Sequence, residues 1–145
     1  MGWWCLAIRG FRRGDDEDGR NALLNYGYAV LRAATARAIC AAGLHPSFGL
    51  HHKNKLNAFP LADDLMEPYR PVVDLAVADW LRGGGEAALT GAVKQRLIGA
   101  ITGRYRVEGE VRTLFDVLNR MAQGLAGAVV AGEAEWAPAR WEFGE

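Results

Sequence analysis

The feature that most constrains this chain is a run from Asn21 to Ala42 that contains no proline and whose second half is small or apolar nearly all round, with Arg37 as the exception. Within it Leu24, Tyr28 and Leu31 recur at helical spacing, and strong helix formers crowd Ala33 to Ala42. Gly43 supplies the stop, because glycine adopts the left-handed conformation that ends a helix at little cost. Such a helix would be about 33 Å long at the usual rise of about 1.5 Å per residue. A helix whose second half has almost no polar face has to be surrounded by other elements, so it belongs at the middle of a helical domain.

The remaining segments fit that plan. Gly14 to Gly19 is an acidic, glycine-bounded surface loop, and Leu44 to Pro60 is a long polar, basic loop without helical or strand periodicity. An ordered loop of that length inside a compact domain points to function, because its backbone entropy has to be offset somehow. Leu61 to Glu67 reads as a short helix, Pro68 and Pro71 as a kink, and Val72 to Arg82 as a second helix ended by Gly83-Gly84-Gly85. Thr90 caps a helix running to about Thr102. Val107 to Ala131 reads as one more, with Val111, Leu114, Leu118, Met121 and Leu125 along one side. No strand-like alternation is visible, and the tail from Glu133 to Glu145, with Trp136 and Trp141 around Pro138, reads as an irregular segment docked on the helices. The expected class is mainly α, a single helical domain over residues 1–145.

Composition narrows the function classes. Lys plus Arg and Asp plus Glu each total 17, so no overall basic field announces a nucleic-acid or anionic-membrane partner, and any such contact has to be local. Candidate phosphate contacts are Arg12, Arg13, Lys53 and Lys55. Cys5 and Cys40 have neither disulfide-framework nor metal-ligand spacing, and no apolar run approaches the length of a membrane span. The expectation is a cytoplasmic protein without a membrane partner.

The chemistry concentrates between Gly49 and Pro71. Asp64 and Glu67 lie three apart, so on a helix both carboxylates project from one face, and His52 sits on the loop leading into it. Carboxylate oxygens suit Mg²⁺ or Mn²⁺, and an added imidazole favours Mn²⁺ between them, which makes these three residues a candidate metal half-site. The same residues have a plainer reading. Asp63 and Asp64 serve as N-terminal helix acids, Glu67 pairs with Arg70, and His51 or His52 caps the loop. Spacing alone favours the plainer one, while Pro68 and Pro71, which distort the backbone around Glu67, shift weight toward a functional site.

The segments Asn21-Ala22-Leu23-Leu24-Asn25-Tyr26-Gly27-Tyr28-Ala29-Val30-Leu31-Arg32 and Leu61-Ala62-Asp63-Asp64-Leu65-Met66-Glu67-Pro68-Tyr69-Arg70-Pro71, with the histidine loop between them, resemble the CRISPR-associated adaptation integrase that inserts new spacers. The wording is closest to members found beside a single large RNA-guided effector nuclease, and the match covers most of Trp3 to Asp74. This resemblance implies a metal-dependent DNA integrase and endonuclease with a helical C-terminal catalytic domain. Its cation is Mg²⁺ or Mn²⁺, and its partners are prespacer and repeat DNA, a small second adaptation subunit and further copies of itself. It places the motif histidine at His52 and the second carboxylate ligand at Glu67, with Asp64 at a neighbouring acidic position. The family's first glutamate ligand precedes an aromatic pair that resembles Trp3-Trp4, and no such glutamate stands in this sequence. The expectation is therefore a catalytic lobe without the family's N-terminal β-domain and with an incomplete metal site, active weakly if at all on its own. The alternative is a non-catalytic helical module of that family that binds DNA or a partner.

Overall fold

The computed structural model describes residues 19–48, 57–133 and 136–137 in full and the backbone of 141–142. The elements in order are α1 (Arg20–Ala41), α2 (Pro60–Met66), a 3₁₀ turn (Glu67–Tyr69), α3 (Arg70–Arg82), α4 (Gly91–Ile101), β1 (Arg104–Val107), β2 (Glu110–Thr113), α5 (Leu114–Ala131) and β3 (Trp141–Glu142). The mainly α class holds. Helix α1 falls within a residue of its expected bounds and touches α2, α3, α4 and α5, but its second half is not surrounded as expected: Arg32, Ala33, Arg37 and Cys40 face solvent, because alanine and cysteine are small enough to be left exposed at little cost. Leu23, Leu31 and Ile39 on it are fully buried, and Thr35 satisfies its hydroxyl by donating to the Leu31 carbonyl at 2.9 Å.

The proline break is also where the sequence puts it. Pro68 has no amide to donate, so α2 tightens into the 3₁₀ turn, and Pro71 then occupies the opening turn of α3, where a missing amide does no harm. Thr90 caps α4, its hydroxyl accepting from the Val93 amide at 3.4 Å.

Two further expectations need correction. The helix expected from Val107 begins only at Leu114, because Arg104–Val107 and Glu110–Thr113 form an antiparallel hairpin in the register Val107 opposite Glu110. Its two-residue turn, Glu108-Gly109, has φ of 51° and 82°, the primed turn geometry whose twist matches paired strands. The second correction is the tail. Trp136 does pack against the core, but Trp141–Glu142 pair with the free edge of β1, giving the sheet order β2-β1-β3. The acidic loop expected at Gly14 to Gly19 falls almost wholly outside the described residues.

Gly27 sets the spacing of α1 and α3. A Cβ there would lie 2.4 Å from Cγ1 of Val73, a buried β-branched side chain that cannot swing aside. Helix propensity alone predicts that Gly27→Ala stabilises by about 1 kcal/mol. Overpacking costs about 1–3 kcal/mol, so the net expectation is a loss of about 1 kcal/mol, read as a lower urea midpoint. A raised midpoint would show that the two helices separate freely.

Candidate functional site

Helix α2 presents its acids in opposite directions. Asp63 faces inward and is 5% exposed. Its two oxygens accept a forked pair from Arg32 on α1, Nε at 2.6 Å and Nη2 at 2.9 Å, and the amide of Asn57 adds a third bond at 2.5 Å. Asn57 in turn accepts from the Phe59 amide at 2.9 Å, closing a small turn ahead of Pro60. On the other side of the basic loop, the Pro46 carbonyl accepts from the Leu61 amide at 3.0 Å. Both described ends of the loop are therefore fastened to the start of α2. Asp63 is a clamp between α1, α2 and the loop, rather than only a helix-terminal acid. The sequence reading missed Arg32, and an arginine one turn after Tyr28 in an otherwise apolar stretch of α1 was the signal that could have found it.

Asp64 is partly exposed and Glu67 is exposed, so the two acids share the solvent side of the break, as their spacing predicts. Glu67 pairs with Arg70 at 2.9 Å, the pair foreseen in the plainer reading. The Arg70 guanidinium also lies over the Tyr28 ring, 4.9 Å from its centroid, and the Tyr28 hydroxyl donates to Oδ1 of Asp74. Tyr69, beside them in sequence, is fully buried, and desolvation pushes its hydroxyl up to about 12, so it stays protonated and neutral near neutral pH. His45, which precedes Pro46, engages Ser47 through Nδ1 at 2.5 Å, the turn-forming role expected of a loop residue.

His52, His51, Lys53, Lys55, Arg12, Arg13 and the Trp3-Trp4 pair lie outside the described residues. Among the described residues no three His, Cys, Asp or Glu side chains converge as a metal site demands. Asp63 is engaged by three donors and Glu67 faces a guanidinium, so the described donor set does not by itself fit a divalent cation. Among the same residues no helix is long and apolar enough to cross a membrane.

The fold and this site define a class: a helical bundle packed about one long helix, with a small three-stranded sheet and an acid-bearing helix break that follows a basic loop. The family model described as CRISPR associated protein Cas1 matches residues 9–85, which include α1, the loop and the break. The chain belongs to that family. It is 38% identical over 122 residues to the CRISPR-associated endonuclease Cas1 of Neisseria meningitidis serogroup C, covering 83% of this chain and 40% of that protein. It is 36% identical over 127 residues to the CRISPR-associated endonuclease Cas1 2 of Pyrobaculum aerophilum, covering 84% of this chain and 42% of the relative. The chain thus spans about two fifths of the length of these curated relatives. Among solved structures, a casposase bound to its integration product superposes with a TM-score of 0.66 at 26% identity, over 80% of this chain and 37% of that one. A Cas6-RT-Cas1–Cas2 complex superposes with a TM-score of 0.68 at 24% identity, over 92% of this chain and 16% of that one, a likeness of fold.

Proposed function

We propose that residues 1–145 are the helical catalytic part of a metal-dependent DNA integrase and endonuclease of CRISPR adaptation. In this reading His52 and Glu67 are ligands of one Mg²⁺ or Mn²⁺, and Asp64 is the neighbouring acid of the site. Arg12, Arg13, Lys53 and Lys55 contact DNA phosphates. Prespacer and repeat DNA, the small second adaptation subunit and further copies of the chain are its partners. The observation that carries the reading is the position of Glu67, exposed at the proline break and inside the segment that matches the family. Because the described donors do not make a complete cation site, the reading needs further ligands from outside the described residues, His52 among them.

The test is a chimera in which this chain replaces the corresponding part of the Neisseria relative. It is expected to join a DNA 3′ end to a repeat duplex in Mn²⁺. His52→Ala and Glu67→Gln should each lower that rate about a hundredfold or more, as loss of a metal ligand removes both charge stabilisation and orientation. DNA affinity should persist in both variants and fall steeply with salt, because phosphate contacts release counterions. A folded chimera that joins DNA equally well with Glu67→Gln would overturn the reading. A folded chimera that binds DNA and never joins it would favour the non-catalytic module.

A further inference from the structure

The described residues leave a cleft of about 510 Å³ between α3, α4 and β1, away from the proline break. Val72, Leu75 and Ala76 of α3 and Gly99 and Ala100 of α4 make its apolar walls. Tyr105 of β1 completes the lining, its hydroxyl donating to the Ala100 carbonyl at 2.5 Å. Two charged groups also line it, and they are not equivalent. Asp79 is paired with Arg82 at 3.0 Å, whereas Arg96 has no ion-pair partner among the described residues. The cleft is therefore apolar with a cationic rim.

We propose that the segment Phe143-Gly144-Glu145 of the same chain occupies this cleft, with the Phe143 ring between α3 and α4 and the Glu145 carboxylate at Arg96. Strand β1 has a neighbour on each side. On the β2 side Tyr105 is opposite Arg112, which is engaged by Glu110 and Asp116 and does not line the cleft. On the other side β3 runs antiparallel, with Val107 opposite Trp141 and Arg106 opposite Glu142. An antiparallel ladder advances one residue against one, so the next pair sets Phe143 opposite Tyr105, and directly opposite residues share a face of the sheet. Glu145, two residues on, belongs to that face as well. The apolar walls suit an aromatic ring, whose burial removes about 150–250 Å² from water, and the unpaired guanidinium suits the acid that follows it. Opposite charges at Arg106 and Glu142 favour this register over a slipped one. A strand of two residues is too short to hold itself on an edge, and an anchor just beyond it supplies what the ladder lacks. The proposal does not rest on the integrase reading.

Nuclear Overhauser contacts in the 145-residue chain test this directly. The Phe143 ring protons are expected to contact the methyl groups of Leu75 and Ala76, and Gly99→Phe should remove those contacts. A Cβ at Gly99 would meet no atom within 4 Å, so the new ring fills the cleft and leaves the walls in place. Chymotrypsin cleavage after Phe143 should be about tenfold faster in Gly99→Phe than in the parent, because displacement frees the bond for attack. Arg96→Gln keeps the apolar walls and should accelerate cleavage by a smaller factor. The proposal is overturned if Phe143 contacts no residue of the cleft in the parent, or if the parent and a folded Gly99→Phe chain are cleaved at the same rate. Should Gly99→Phe lose the helical circular dichroism of the parent, the contacts in the parent decide by themselves. A sample mixed from isotope-labelled and unlabelled chains is the remaining control. Contacts found only between differently labelled chains would assign the cleft to the segment of a second copy and overturn docking within one chain.

Discussion

Leu31→Ala is expected to lower the free energy of unfolding by about 4 kcal/mol, toward the upper end of the range for buried leucines. Leu31 is fully buried on α1, the helix that α2, α3, α4 and α5 all touch. A cavity at the middle of such a bundle cannot be closed by one neighbour without pulling others out of place, so the transfer loss and the cavity loss add. Leu75→Ala serves as the comparison. Its side chain sits on the outer side of α3 at 37% exposure, and its loss should be about 1 kcal/mol or less. Urea denaturation of the two variants decides the matter: equal midpoints would mean that α1 is not the core of the domain.

The second large effect is expected at Asp63. Removing a buried partner of an ion pair commonly costs about 3–5 kcal/mol, because a charge is left uncompensated. Here Arg32 is 45% exposed and can turn to water when its partner is lost, which lowers the expectation for Asp63→Ala to about 2 kcal/mol. Asn57 loses its acceptor at the same time, so the basic loop should be released at that end as well as the domain destabilised. The measurement is a double-mutant cycle with Arg32→Met, in which the two changes should be markedly less than additive. A different result would reassign the residue. If Asp63→Asn left stability unchanged and weakened Mn²⁺ binding instead, Asp63 would be a ligand rather than a clamp.

These two predictions draw on different kinds of information. The bounds of α1, the break at Pro68 and Pro71, and the cap at Thr90 were legible because each depends on the residues themselves: apolar periodicity, a missing amide, a hydroxyl one turn ahead of an amide. The recognition of the family rested likewise on contiguous segments, from Asn21 to Arg32 and from Leu61 to Pro71. The hairpin escaped because strands of four residues are too short for alternation to stand out from the apolar spacing of α5, which follows directly. Its one local signal was the turn at Glu108-Gly109, and glycine after an acid is common enough in loops to pass unnoticed.

What the sequence by itself determined was the helical class, the central helix, the interrupted second helix and the family, since all of these follow from short-range pattern. What only the tertiary structure decided was which acid does what. Asp63 and Asp64 are neighbours in sequence, yet one turns inward to Arg32 while the other stays at the surface with Glu67, because successive residues of a helix point about 100° apart and packing chooses the inward one. The partners that fix the site lie far off in sequence: Arg32 against Asp63, Tyr28 against Asp74, and Tyr28 beneath Arg70. Periodicity carries no information about such pairings, which exist because α1 runs past α2 and α3 at a distance that Gly27 and Val73 set.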